Sequence, residues 1–251
     1  MQVAIGGIAM RNLAIRRDEA PGRSVYAELR ARILTAAARP GEALSETRVA
    51  AQFGVSRTPV REVFQRLAEE GLLRIVPQVG TFVAPIRLKA VHDGQFVRET
   101  LECRAVALAA RNVTPPLLDE LRRHLHAQAR LIAKRDHLGF FASDEAMHRT
   151  IMDMAGHPAV WEMIASAKVQ LDRLRTLSLE SPEWLRMIFA QHREIVELIA
   201  AKNRNGAERA MRAHLRTAFA AIERIAQDHA EFFEGPTVQA ERRDARRSSN
   251  R

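Results

Sequence analysis

Cysteine is nearly absent from this 251-residue chain, which carries one, Cys103, inside an apolar helical pattern. A single thiol excludes an intrachain disulfide, so a reducing cytoplasm is the expected compartment. Aromatic residues are scarce at 5%, while alanine, leucine and arginine dominate, a composition that favours helix. No apolar run approaches the roughly 20 residues that span a bilayer. Residues 1–10 are mildly apolar but lack a leading positive charge, and Arg11 follows too soon for a signal peptide. A soluble, membrane-free protein is expected. What the chain has in quantity is apolar side chains, 47%, enough for one large or two modest cores.

The formal net charge of +9 is unevenly placed. Residues 1–87 hold 13 Arg/Lys against 8 Asp/Glu, residues 88–234 hold 21 against 20, and residues 235–251 hold 5 against 2. The surplus sits at the two ends, as expected if only the first part of the chain faces a polyanion. The tail ERRDARRSSNR has no apolar face and is expected to be a disordered, solvated basic tail over 235–251.

The segment from Glu46 to Gly71, ETRVAAQFGVSRTPVREVFQRLAEEG, reads as two short helices around a tight turn. Ser45 can cap the first, over 46–53, and Gly54 sits at the turn. The second runs over 58–70 and stops at Gly71. Ala50, Phe53, Val55 and Val60 have the spacing of a small core. Ser56, Arg57, Thr58 and Arg61 stand at the start of the second helix, where free N–H groups and the positive dipole end attract phosphate. Upstream, residues 1–22 look like a flexible extension ending in Pro21-Gly22, and Val25, Leu29, Arg32 and Ile33 predict an amphipathic helix from Ser24. Downstream, LLRIV and TFVAPI flank Pro77–Gly80 and predict a hairpin with a loop of about four residues, with Gly80 at its tip. The sum is a winged helix-turn-helix over residues 23–87, a DNA-binding module.

Beyond Leu88 the periodicity is helical, with breaks that predict helices over 89–112, 115–135, 138–155, 158–179, 182–202 and 206–233. No strand is expected there. The fold class is mainly α, with an all-α bundle of six to seven helices over residues 88–234 behind the winged head. Asp144 and His148 stand four apart and share one helix face, and His192 and His214 lie on two later helices among apolar neighbours. Such a set suits Zn²⁺, Ni²⁺, Fe²⁺ or Mn²⁺ if the helices bring it together. By spacing alone, a D-x-x-x-H pair is also what a solvated ion pair looks like. His124 and His126 lie on a mixed face, His92, His137 and His229 near helix ends, and His157 in a turn. Met147, Met152, Met154, Met163 and Trp184 read as core.

Pro40-Gly41 followed by Leu44-Ser45-Glu46, then GVSRTPVRE and Gly71-Leu72-Leu73, resembles the GntR family of bacterial transcription regulators. The helical second half resembles its FadR-like subfamily, whose effector domain is called FCD. The resemblance covers residues 24–232. It implies that Arg57, Thr58 and Arg61 contact groove and backbone, with Ser56 as cap and phosphate donor. Thr47 and Val79 stand where many relatives carry arginine, which implies a lower phosphate affinity or a different operator. It also implies that Asp144, His148, His192 and His214 are metal ligands, zinc first. Arg98, in Arg98-Glu99-Thr100-Leu101-Glu102, is implied to point into the effector pocket; its alternative is a surface pair with Glu102.

The expected function is a homodimeric DNA-binding regulator, usually a repressor in this family. It would bind a palindromic double-stranded operator and be released by a small carboxylate effector, with the linker over 85–88 transmitting the change. It is expected not to be an enzyme. Two rivals use the same residues: a metal-dependent hydrolase or isomerase, which would need a general base besides the ligands, and a purely structural zinc bundle.

Overall fold

The computed structural model describes residues 21–178, 182–228 and 230–234; the extension before Pro21, the tail over 235–251 and His229 lie outside them. The first helix, α1 (Pro21–Leu34), starts before Ser24 and takes in Pro21-Gly22, the pair expected to end the extension ahead of it. Proline is accommodated in a first turn because its missing N–H would have no helical partner there. The next two helices are α2 (Glu46–Phe53) and α3 (Arg57–Glu69). Ser45 caps α2 by accepting from the Arg48 N–H. Gly54 ends it in the left-handed region, φ 65°, with its N–H on the carbonyls of Ala50 and Ala51. A side chain there would be strained.

Three apolar stripes meet in the head: Val25, Leu29 and Ile33 from α1, Val49 and Ala50 from α2, and Val60, Val63, Phe64 and Leu67 from α3. Leu72, Leu73 and Val83 close this core from the wing. The wing pairs β2 (Leu73–Val76) with β3 (Gly80–Val83), antiparallel, with Val76 opposite Gly80. Because Gly80 already pairs, the loop is Pro77–Val79, one residue shorter than expected. A two-residue strand, β1 (Ala43–Leu44), pairs with β3 and makes the sheet order β1-β3-β2. Two residues carry no period, which is why sequence patterning misses it. Glu70, at the end of α3, is half-buried. It accepts from Tyr26 Oη at 2.5 Å and Arg30 Nε at 3.1 Å and ties α1 to α3.

The bundle comprises α4 (Leu88–Asn112), α5 (Pro115–Ala133), α6 (His137–Met154), α7 (Val160–Ala167), α8 (Val169–Ser178), α9 (Pro182–Ala200) and α10 (Arg204–Asp228), with a short 3-10 turn over Ala230–Phe232. The helix expected over 158–179 is therefore two, broken at Lys168. The break lies against α4 at Gly94, where a Cβ would stand 2.8 Å from the Ala167 carbonyl oxygen. The helix expected over 206–233 runs over Arg204–Asp228 instead, and the residues from Ala230 turn back to the linker. Ile86 forms a parallel bridge with Phe233, and its N–H donates to the Phe232 carbonyl at 2.8 Å. The bundle core gathers Val106, Ala109, Leu121, Met147, Ile151, Ile195, Met211 and Leu215. Met152 and Met154 are buried as expected, but Met163 is 66% exposed. Trp184 packs against the Phe140, Leu185 and Ile188 cluster. Among the described residues, no helix is long and apolar enough to cross a membrane.

Candidate functional site

Four buried side chains converge inside the bundle. Asp144 and His148 come from α6, His192 from α9 and His214 from α10, and one ligand atom from each lies within 4.8 Å of the others. Their sequence spacing works because α6, α9 and α10 turn these faces inward. His192 Nε2 stands 3.1 Å from Asp144 Oδ1, and His148 Nε2 stands 3.2 Å from His214 Nε2. Donors held about 2.0–2.2 Å from a common ion would stand roughly 3–3.5 Å apart, so these edges suit a single first-row divalent metal.

The outer nitrogens explain the orientation. His148 Nδ1 lies 2.5 Å from Glu102 Oε2, His192 Nδ1 lies 2.8 Å from Gln128 Oε1, and His214 Nδ1 lies 3.1 Å from Gln191 Oε1. Gln191 cannot present its amide nitrogen there, because that nitrogen donates to Thr217 Oγ1, whose hydroxyl donates to the Ala213 carbonyl. The Nδ1 protons of His192 and His214 therefore point outward, and the Glu102 carboxylate beside His148 Nδ1 favours the same tautomer there, which leaves each Nε2 lone pair facing inward. Three lone pairs and a carboxylate oxygen then face one another. Asp144 Oδ1 and His192 Nε2 are buried with no hydrogen-bond partner among the described residues. Buried acceptors that converge without a donor repel, and a cation at their centre removes the repulsion. The residues fit a metal.

Charge states favour the same conclusion. Burial pushes His192 below the ordinary imidazole range, and burial pushes His214 well below it, where a positive charge on either neighbouring imidazole would push it further. Both stay neutral and available as ligands. Asp144 would be pushed up by burial, but the Arg175 guanidinium, which donates to Oδ2, and the imidazoles hold it well below the usual carboxylate range. A pH dependence follows. The unfolded chain protonates these histidines near pH 6.5, whereas the folded chain resists, so the stability present above about 6.5 is lost as pH falls. Metal leaves in the same direction. Thermal melts from pH 8 to 5 should show Tm falling on the acid side, and a flat profile would contradict the buried neutral histidines.

Arg98 is not a surface arginine. It is fully buried on α4, with Nε 2.6 Å from Glu102 Oε1, and its Nη1 has no hydrogen-bond partner among the described residues. The pairing with Glu102 is therefore present, and it lies inside the bundle beside His148. Glu102 is the residue whose role sequence reasoning missed; its spacing four after Arg98 was the available signal. Gln128, Gln191 and Arg175 were also missed, since they reach the histidines and Asp144 only across helices. Glu102 and Glu99, the glutamates that a rival hydrolase would offer as general base, are both engaged by cationic partners. Arg98 and His148 hold Glu102 far below the usual range despite its burial, and Glu99 is occupied on the outer face by Arg212 and Arg216. The remaining described histidines stay outside the cluster: His124 bonds Thr150 Oγ1 at 3.0 Å, His92 packs edge-on against Phe219, and the His157 carbonyl accepts from Val160 in a turn. Cys103 is buried, and burial pushes its thiol up to about 11, so it is unreactive.

At the other end of the molecule, Ser56, Arg57, Thr58 and Arg61 are all exposed at the start of α3, and Gly80 is exposed on the wing. Ser56 occupies the N-cap position, but its side chain makes no capping hydrogen bond, contrary to expectation. Val79 is exposed beside Gly80, and Thr47 is exposed on α2. One carboxylate organises the arginines. Glu46 accepts from Arg57 Nη2 at 3.2 Å and from Arg61 Nε and Nη2 at 3.3 and 3.2 Å. The Arg61 and Arg57 hydrogen bonds hold Glu46 below the usual carboxylate range despite its slight desolvation. Spacings of 11 and 15 residues give no local signal of this clamp.

Known proteins share both halves. Residues 21–83 match the bacterial regulatory proteins of the gntR family, and residues 95–217 match the FCD domain. An HTH-type transcriptional regulator in an unstable DNA locus of Streptomyces ambofaciens is 41% identical over 84% of this chain and 89% of its own. The HTH-type transcriptional repressor RspR of Escherichia coli K12 is 33% identical over 84% of this chain and 92% of its own. The solved structure of E. coli McbR/YncC shares the fold with a TM-score of 0.71 at 24% identity, covering 82% of this chain and 98% of that one. With a gntR-type reading head on an FCD body, this chain belongs to the GntR family: it is a DNA-binding transcriptional regulator with an FCD effector domain, not an enzyme.

Proposed function

We propose that this regulator is a homodimeric repressor whose hold on a palindromic operator is set by a small carboxylate bound at a metal in the bundle. The head, residues 23–87, reads DNA through Ser56, Arg57, Thr58, Arg61 and Gly80. The body, residues 88–234, holds the metal through Asp144, His148, His192 and His214. One observation carries the metal assignment: three imidazoles, each tied outward through Nδ1, aim their Nε2 lone pairs at one carboxylate oxygen. Zinc is the first choice, and nickel, iron or manganese suit the same donors, with availability deciding among them. Bound there, the metal would supply a positive centre to which a carboxylate oxygen is attracted. Arg98 supports a carboxylate effector, because its buried Nη1 is a cationic donor without a partner among the described residues. The repressor sign is supported by the name of the E. coli relative. The effector must bind the DNA-competent and incompetent arrangements unequally, and a 100-fold ratio corresponds to about 2.7 kcal/mol.

Zinc-loaded protein screened by thermal shift against mono-, di- and hydroxycarboxylates tests this. One chemical class should raise Tm by several degrees and weaken operator binding in the same concentration range. No stabilisation across the panel, with operator affinity unchanged, would leave the structural zinc bundle as the better account.

A further inference from the structure

One helix touches everything a metal-responsive regulator has to connect. At about 100° per residue, side chains around the start of α8 divide into two sides. Lys168, Asp172 and Arg175 fall on one, and Val169, Gln170 and Arg173 fall roughly opposite. The first side meets α6 at the candidate metal centre. Arg175 donates to Asp144 Oδ2 and, at 2.8 Å, to Glu145 Oε1. Lys168 Nζ lies 2.5 Å from both Glu145 Oε2 and Asp172 Oδ2.

The opposite side grips the reading head. Val169 packs in the head's own core. Gln170 Nε2 donates to the Gly71 carbonyl at 2.9 Å, and Arg173 Nη2 donates to the Ala84 carbonyl at 2.8 Å. Arg173 Nη1 also donates to Gln170 Oε1 at 3.2 Å, joining the two grips. Gly71 closes the turn after α3, and Ala84 follows the last wing strand, so these carbonyls mark where both DNA-facing elements leave the head. Between the two sides, Leu171 and Leu174 pack on Ile86 in the linker.

We propose that α8 couples the metal centre to the reading head, with Arg175 on Asp144 as the input contact and Arg173 and Gln170 on Ala84 and Gly71 as the output contacts. The proposal rests on the metal assignment above. Asp144 offers Oδ2 to Arg175 and Oδ1 to the histidines, so a cation at Oδ1 draws on the same carboxylate that anchors Arg175. With Gly94 of α4 packed closely against the break that precedes it, a helix about 15 Å long transmits a displacement at Arg175 as one body. The buried guanidinium of Arg173 cannot slip gradually, because that would leave a backbone carbonyl unpaired. The linker over 85–88 is thus not the sole route; it is one of the surfaces α8 carries. By linkage, operator DNA must change metal affinity by the same factor by which metal changes operator affinity.

The test uses the full chain and a duplex selected from random DNA by the wild-type protein. Zinc in place of chelator should change the wild-type Kd for that duplex by about tenfold or more. Gln170→Ala and Arg173→Met should bind zinc as fully as wild type, yet bring that ratio to within about twofold of one. A structural role alone would lower Tm and leave the ratio standing. If Arg173→Met does not fold, Gln170→Ala, which removes the hydrogen bonds to the Gly71 carbonyl and from Arg173 Nη1, decides. A wild-type ratio in the variants overturns the proposal. A ratio near one in zinc-bound wild type overturns the coupling but not the metal centre, whereas failure to bind zinc removes both.

Discussion

Replacing Arg57 and Arg61 together with alanine should weaken operator binding by about 30-fold or more while the fold, the dimer and the metal content stay as they are. Both guanidiniums are exposed and bonded to Glu46, so their removal leaves no cavity and no buried partner. On DNA each can make a bidentate contact with guanine or clamp a phosphate, and each such contact is worth about 1–3 kcal/mol. Together they amount to roughly 2–6 kcal/mol, a loss of about 30-fold to 10⁴-fold in affinity. Glu46 deepens the loss, because without its arginines it stands as an uncompensated carboxylate facing phosphates. If both contacts are to the backbone, the slope of log K against log salt should also shrink by about 2. Gel shifts over a salt series measure both effects. Affinity within threefold of wild type would show that α3 is not the reading element.

The second large effect is at the metal. His192→Ala removes one of four converging donors and strands Gln128, whose amide oxygen is held by His192 Nδ1. Loss of an outer partner alone typically costs 10–100-fold in metal affinity, and loss of a ligand exceeds that. In wild type, zinc at 100 times its Kd stabilises by about 2.7 kcal/mol, worth roughly 5–10 °C in Tm for a protein of this size. That increment should vanish in His192→Ala. Gln128→Leu should keep zinc with an affinity about 10–100-fold weaker. His124→Ala should change nothing at the metal, because His124 serves only Thr150 outside the cluster. Equal zinc-dependent stabilisation of His192→Ala and wild type would refute the site.

How much of this was legible in the sequence depends on the range of the interaction. The Ser45 cap, the Gly54 turn and the apolar stripes of α1, α2 and α3 are local, and they appear where the pattern places them. Asp144 and His148 share a face because four residues make about one turn, but only packing could bring His192 and His214 to them. What escaped lies across long separations. Gln128 to His192, Gln191 to His214, and Arg175 to Asp144 are contacts between helices with no sequence period of their own. The break at Lys168 escaped because periodicity continues through it. Arg98 illustrates the difference in kind: its pairing with Glu102 was readable from i,i+4 spacing, its burial was not.

X-ray absorption at the zinc edge of the zinc-loaded full chain tests the central claim most directly. The account predicts zinc bound with a first shell of nitrogen and oxygen alone at about 2.0–2.2 Å, with the outer-ring scattering of three imidazoles. A sulfur at about 2.3 Å, fewer than three imidazoles, or zinc lost on gel filtration would contradict it.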